Sequence, residues 1–306
     1  MTLLAFQGSL ELGLIYGLLA LGIFLSFRIL NVADLTVDSS FTSGAAVSAL
    51  LTLAGHPYLG LLAGFAVGTL AGFVTAFLQT KLKIQPILAG ILTMTGLYSI
   101  NLVILGGSPN VSLLRSDTVF TPVAALAGGK YAKLLAVFVL AVLVCLLLSL
   151  FFKTKLGLSI RATGDNEDMV RASSINSNFT KTIGLMLANG LAALSGAVLC
   201  QYQSFVDVNM GTGMVVVGLA SLIIGEIIFG KRGILRHAVA VVLGSCVYRI
   251  IIALVLQANL AAFYLKLISA LIVTLAVSYP AVREKFQFAR RRRRKPAAGK
   301  AEGKEE

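Results

Sequence analysis

"RATGDNEDMVRASSIN", Arg161 to Asn176, is a long polar island in the middle of an otherwise apolar chain. Its flanks decide how it is read. Ala132 to Phe152 precedes it and Ile183 to Gln203 follows it. Each flank is about as long as the run of about 20 apolar residues that a helix needs to cross a bilayer. The island, extended to Lys153 and Lys181, is therefore a polar connection between two membrane spans. Within it, Gly164 to Ser174 has the composition of one short amphipathic helix. Asp165 can cap its start, and Glu167 and Asp168 suit the positive end of the helix dipole. Met169, Val170 and Ala172 form an apolar side, with Arg171 and Asn176 offering polar contacts. Such a helix either lies along the membrane surface or docks into a soluble partner.

Composition extends the membrane reading to the whole chain. Of 306 residues, 57% are hydrophobic and only 13% charged, and the mean hydropathy is +0.90. A soluble domain carries about 25% charged residues, so this chain lacks the polar surface to be one. Gly8–Arg28, Phe41–Ala54, Leu59–Thr80, Ile84–Leu105, Met210–Phe229, Ala238–Gln257 and Ala261–Tyr279 join the two flanking runs. The length of these runs excludes the alternating segments of about 10 residues that build membrane barrels. The expected fold is all-α, a polytopic membrane bundle of about 8–10 spans. Phe41–Ala54 is short and is expected to be broken or re-entrant. The opening "MTLLAFQGSLELG" lacks a basic leader region and carries Glu11, so the first span is expected to be retained.

Lysine and arginine set the orientation. Lys81 and Lys83, then Lys153 to Lys181, then Lys231, Arg232 and Arg236, then the tail from Arg283 fall on one side if each segment crosses once. Gly106–Gly129 and Asp207 fall on the other. The island is thus expected in the cytoplasm. The N-terminus is outside if Phe41–Ala54 crosses fully and inside if it does not. Residues 1–282 are expected to be the membrane domain, with the island at 153–181, and 283–306 a disordered basic tail. The formal charge of +13 reflects these loops and the tail, which suit anionic lipid. No aromatic interleaving or nucleic-acid motif accompanies the arginine run, so no nucleic acid is expected as a partner.

Gly60, Gly64, Gly68 and Gly72 recur every fourth residue and place a smooth stripe on one helix face. It serves either packing within one subunit or a seam between two. Glu11, Asp34, Asp38, Glu226 and Arg249 are charges within or beside apolar runs. Each costs about 2.5–3.5 kcal/mol at bilayer depth, so they are expected to face protein or a watery path. Arg249 is the deepest and is expected to be satisfied inside the protein, with Glu11 one possible partner. Glu226 and Lys266, nearer span ends, can snorkel. "NVADLTVDSS" breaks two apolar stretches, and Asp38 or Ser39 could cap a helix entering there. Broken helices inside membranes commonly mark substrate paths; the alternative, which periodicity alone favours slightly, is a solvent-exposed loop. Cys145, Cys200 and Cys246 sit in apolar runs as small hydrophobes. "GEIIFGKR", Gly225–Arg232, misses the phosphate-binding loop because Arg232 stands where a magnesium-binding hydroxyl is required and because it follows an apolar helix. With two histidines, no hydrolase layout and no metal spacing, the chain is not read as an enzyme, and no metal or other cofactor is expected on it.

The island resembles the cytoplasmic coupling segment of ABC importer permeases of the branched-chain amino acid and ribose type. That segment reads roughly R-A-x-G-x-N-x-x-x-A-R-x-x-G-I-N ahead of a glycine- and alanine-rich span. Arg161, Ala162, Gly164, Asn166, Ile175 and Asn176 fit, and Arg171 takes the arginine place. Val170 stands where alanine is usual and Ser174 where glycine is. "ANGLAALSGAVLCQYQSFVDVNMGTG" then matches through Asn189, Gly190, Ala193, Ser195, Gly196, Gly211 and Gly213. Near the N-terminus Tyr16, Ala20, Gly22, Asn31 and Ala33 fit, while Asp34 to Asp38 replace the histidine–glycine–glutamate run of the branched-chain type. "NVADLTVDSSF" looks instead like permeases linked to tryptophan or tyrosine uptake.

The resemblance implies a type II importer permease in the bacterial inner membrane, paired with a second permease subunit as a homodimer. Separate ATP-binding subunits would use ATP and Mg, and an extracytoplasmic binding protein or lipoprotein would deliver a small polar solute. Arg161, Gly164, Asp165, Asn166, Glu167, Asp168, Met169, Val170, Arg171, Ala172 and Ile175 would couple to the ATPase, with Met169, Val170 and Ala172 as the apolar contacts. Glu11, Asn31, Asp34, Asp38 and Arg249 are the candidates for the path or its gate. An ion-coupled secondary carrier and a noncatalytic membrane scaffold are the alternatives.

Overall fold

The computed structural model describes residues 3–114, 116–127, 131–230, 233–257, 267, 269–274 and 278. Lys231, Arg232, Lys266, the tail and most of the expected Ala261–Tyr279 span lie outside the described residues. Helix α1 (Leu3–Ile23) widens into a π-helical turn at Phe24–Ile29. The chain then breaks and restarts as α2 (Thr36–Leu53). Helices α3 (Pro57–Thr80) and α4 (Pro86–Ile104) each open on a proline, whose missing N–H costs nothing in a first turn. Strand β1 (Asn110–Ser112), α5 (Phe120–Ala127) and α6 (Ala132–Phe151) follow. The polar island holds α7 (Lys155–Asp165) and α8 (Glu167–Ala172) and leads into α9 (Ser177–Gln203). Strand β2 (Phe205–Asp207), α10 (Met214–Phe229) and α11 (Ile234–Gln257) follow, and the described residues beyond them, 267, 269–274 and 278, are helical.

Among the described residues, six helices are long and apolar enough to cross a membrane: α1 with its π turn, α3, α4, α6, α9 and α11. Burial separates centre from rim. The apolar windows of α1 and α9 are 83% and 78% buried, whereas those of α3, α4, α6 and α11 are 28–39% buried. The rim leaves leucine and valine outward, as at Leu62, Val103 and Leu147, which suits a lipid surround. Although α2 is as long as a span, it is rich in Ser and Thr and is buried along most of its length. Its expected break lies elsewhere: the helix is continuous through Phe41–Leu53, and the chain is interrupted before Thr36.

Close contacts give the direction of each helix. Gly22 abuts Ala188 and Ala192, and the Ser195 hydroxyl donates to the Ile15 carbonyl at 2.7 Å, so α1 runs antiparallel to α9. Asp34 meets Asn189, Gly44 abuts Ala193, and Ser48 meets Ala197, so α2 runs parallel to α9 along its whole length. The turn between α1 and α2 therefore lies at the end that carries α7 and α8. Asn31 makes that turn, exposed and with φ 55°. At the opposite end β1 and β2 pair antiparallel, Val111 opposite Val206. Gly60, Gly64, Gly68 and Gly72 lie against Ser48, Ala197, Ala193 and Leu185 in turn. This stripe seats α3 on α2 and α9 of the same chain, so it is occupied within the subunit.

Candidate functional site

The break at residues 30–35 builds the centre of the site. Asp34 is fully buried. Its Oδ1 accepts the backbone N–H of Thr36 at 2.9 Å, and its Oδ2 accepts from the Asn189 side-chain amide at 2.6 Å. The Ser40 hydroxyl donates to the Asn189 Oδ1 at 2.7 Å. One turn further, the Ser43 hydroxyl reaches the Asn101 Oδ1 at 2.7 Å, and the Ser39 hydroxyl reaches the Met94 carbonyl of α4 at 3.0 Å. Thr36 and Thr75 share a 2.7 Å hydroxyl contact between α2 and α3. At the far end the Gln201 amide donates to the Ser48 hydroxyl at 3.0 Å and to the Pro57 carbonyl at 2.9 Å. A hydrogen bond between membrane helices contributes only about 0.6 kcal/mol on average. Strung along one helix, they set the register of α2 against three neighbours more than they stabilise it.

Asp38 does not cap its own helix. The N-cap position is Leu35, which has no side-chain bond, and Asp34 just before it takes the N–H of Thr36, the first helical residue. Asp38 reaches across to α10, where its Oδ2 and Oδ1 accept the Gly213 and Val215 N–H groups at 2.9 and 2.8 Å. The Thr42 hydroxyl accepts the Gly211 N–H at 3.1 Å. Gly213 holds φ 85°, a conformation that favours glycine. Helix α10 thus begins beside the first two turns of α2, inside the bundle. A helix that starts inside the protein has unpaired first-turn amides, and Asp38 supplies the acceptor they need.

Glu11 and Arg249 do not meet. Glu11 accepts from the Gln7 amide at 2.9 Å and from the Tyr202 hydroxyl at 2.7 Å. The Arg249 guanidinium lies 3.7 Å from the centre of the Tyr16 ring. Tyr16 in turn stacks on Phe41 at 6.1 Å and 9°. Glu226 does not snorkel. Its Oε1 is 2.9 Å from both the Arg28 Nε and the His237 Nε2, joining the π turn, α10 and α11.

The island departs from the single helix expected over Gly164–Ser174. Helix α7 ends at Asp165, and Asn166, not Asp165, caps α8 by accepting the Met169 N–H at 3.0 Å. Asn166 is extended, with φ −158° and ψ 101°, so the two helices meet at an angle. Gly164 seats α7 on the π turn, because a Cβ there would stand 1.8 Å from the Ile29 carbonyl oxygen. The Thr163 and Thr180 hydroxyls are 2.7 Å apart. Lys181 binds the Glu167 Oε2 at 2.5 Å and Arg171 the Oε1 at 2.7 Å. Burial alone would raise the Glu167 pKa; hydrogen bonds from Lys181 and Ser177 and the Lys181 and Arg171 charges outweigh it and hold the carboxyl below its usual value.

Val170, expected as an outward contact, is 1% exposed and packs inward. Met169, Ala172 and Ile175 are exposed, as are Arg161, Asp165, Asp168 and Arg171. Asn189, Ser40, Asn101, His237 and Arg28 were not singled out as site residues from sequence. The available signal was the Ser/Thr spacing of "TVDSSFTSGAAVS", which is helical and polar where a lipid-facing span would be apolar.

Comparison with known proteins places this architecture. Residues 6–278 match the family described as branched-chain amino acid transport system / permease component. A tyrosine transport system permease protein of Clostridioides difficile is 37% identical over 85% of this chain and 86% of its own. A probable branched-chain amino acid transport permease of Methanocaldococcus jannaschii is 29% identical over 78% of this chain and 76% of its own. A ribose import permease of Escherichia coli is 26% identical over 80% and 75%. No solved structure matches. The break at Asn31, the buried Asn189 register and the two-helix island thus lie within one matched unit, and the chain belongs to the branched-chain amino acid transport permease family as a multi-pass inner-membrane permease component of an ABC transport system.

Proposed function

We propose that this chain forms the pathway of an ATP-driven importer for an amino acid, foremost an aromatic one, and that α7 and α8 are its contact with a separate ATPase. The island carries the proposal. It is tied firmly to the bundle through Gly164, Thr163, Glu167 and Val170, yet it presents Met169, Ala172 and Ile175 outward among charged residues. An apolar centre with a charged rim is the usual make-up of a docking surface. A rigid seat is what a pushed element needs to pass motion into the bundle. Lys81, Lys83 and Arg236 lie at the same end as the island, which supports a cytoplasmic position for it.

ATP and Mg belong to the partner subunits in this reading, and a binding protein outside delivers the solute. A second copy of the chain completes the pathway. The cargo reading rests on the tyrosine permease relative, which matches 85% of this chain. The secondary-carrier alternative loses ground because Glu11, Asp34 and Asp38 are each held by hydrogen bonds within the bundle. Coupling ions need carboxylates that can exchange partners.

The test is reconstitution of the permease with its ATPase and binding protein in vesicles. Uptake of labelled L-tyrosine that requires ATP and the binding protein is expected. Uptake driven by an ion gradient without ATP would overturn the importer reading. ATP-dependent uptake of another solute alone would overturn the cargo.

A further inference from the structure

The charges inside the bundle do not balance locally. Among the described residues the carboxylates set into the helix bundle are Glu11, Asp34, Asp38 and Glu226, and each has its partners. Glu11 holds Gln7 and Tyr202, Asp34 holds Thr36 and Asn189, Asp38 holds the start of α10, and Glu226 holds Arg28 and His237. Arg249 is the exception. Its Nε is sealed from solvent and has no hydrogen-bond partner among the described residues. Among the described residues, the close neighbour that attracts its charge is the face of Tyr16. A ring face attracts a guanidinium but accepts none of its five N–H donors in the way that a carboxylate does.

Position adds to this. Arg249 lies fifteen residues beyond Ile234, where α11 begins at the island end. At 1.5 Å per residue that is about 22 Å along the helix, toward the end from which an external donor would load. The residue is partly exposed although its Nε is sealed. Tyr16 beneath it is buried and stacks on the fully buried Phe41 of α2. Phe41 stands one turn from Asp38, which holds the start of α10. A ligand on Arg249 would therefore press on a column that runs from α11 through α1 to α2.

We infer that Arg249, backed by Tyr16, is a binding site for the carboxylate of the transported solute, the missing counter-ion being carried in by the cargo. A guanidinium matches a carboxylate with two parallel N–H···O bonds, and it does so best where water is excluded. The site rests on the amino-acid importer reading. It asks for a carboxylate, however, and for no particular side chain.

The experiment is equilibrium binding of labelled L-tyrosine, L-leucine and tyramine to the purified permease–ATPase complex without binding protein. Tyramine is tyrosine without its carboxylate. The wild type is expected to bind the carboxylate-bearing probes and not tyramine. Loss of a charged hydrogen-bond pair in Arg249→Gln should weaken carboxylate binding by about tenfold or more. Arg249→Lys should keep part of the affinity, which guards against a Gln variant that fails to assemble. Binding of leucine without tyrosine would keep the anion site and remove the aromatic cargo. Equal binding of tyramine, wild-type affinity in Arg249→Gln, no binding in Arg249→Lys, or no binding of either carboxylate by the wild type would each overturn the site.

Discussion

Asp34 and Asp38 are one helical turn apart yet serve different helices, and their substitutions should separate. Removing the Asn189 amide leaves the buried Asp34 carboxylate one donor short. A buried polar group stripped of its partner costs about 1–3 kcal/mol, more if charged. Asn189→Ala should therefore lower the unfolding midpoint of the purified permease, and an unchanged midpoint would show that the pair contributes nothing. Asp38 acts as a cap across helices, and caps contribute about 0.5–2 kcal/mol. Asp38→Asn keeps an acceptor for α10 and should retain most uptake. Asp38→Ala leaves the first-turn amides without one and should lose it, at unchanged ATPase subunit retention. Equal uptake in both variants would remove Asp38 from the path or its gate.

At the scale of elements, α8 is the point where the docking proposal is exposed to failure. Val170→Glu would be a poor test, because Val170 faces its own bundle and the variant would damage the seat of α8. Met169 is 55% exposed, and Met169→Glu places a charge at the centre of the proposed contact. It should release the ATPase on co-purification while leaving the permease inserted and folded. Full retention would return the island to a segment lying on the membrane surface. Acid tests the seat separately. Glu167 has a carboxyl pKa lowered from 4.5. A lowered folded value means that its stabilising contribution is complete above the unfolded value and is lost as pH falls through the folded one. A fluorophore on Met169→Cys should stay restrained at pH 4.5 and gain mobility only below it. In a Glu167→Gln background it should already be mobile at neutral pH.

Across the whole molecule, packing is decided by close approach of backbones rather than by large side chains. A Cβ at Gly44 would stand 2.0 Å from the Ala193 carbonyl oxygen, and one at Gly68 2.5 Å from that of Asn189. These are contacts with backbone, which cannot rotate away. Overpacking costs about 1–3 kcal/mol and sometimes more, so Gly68→Val should cut the yield of monodisperse protein and lower its unfolding midpoint. Gly96 has nothing within 4 Å of a Cβ placed on it, and Gly96→Val is the matched control. A Gly68→Val protein as stable as the control would show that α3 can reseat.

Hydropathy alone established a helical membrane protein, because a run of apolar residues long enough to span lipid leaves the backbone no other way to pair its amides. The polar island, and the basic loops that share its end, were legible for the same reason: charge in a greasy chain must lie outside the lipid. The glycine stripe of α3 was visible as a pattern, but whether it met its own chain or another was decided by α2 and α9 arriving against it. Partners of buried polar groups were beyond sequence. Asp34 and Asn189 are 155 residues apart, and Asp38 and Val215 are 177 apart. Nothing local distinguishes a carboxylate that takes an N–H of its own helix from one that takes those of another. Val170 shows the same limit: on a short helix joined by an angle at Asn166, the buried face depends on how α7 docks onto the π turn. Arg249 was legible as a costly charge, but that it rests on a ring and meets no carboxylate among the described residues is a property of the assembled bundle.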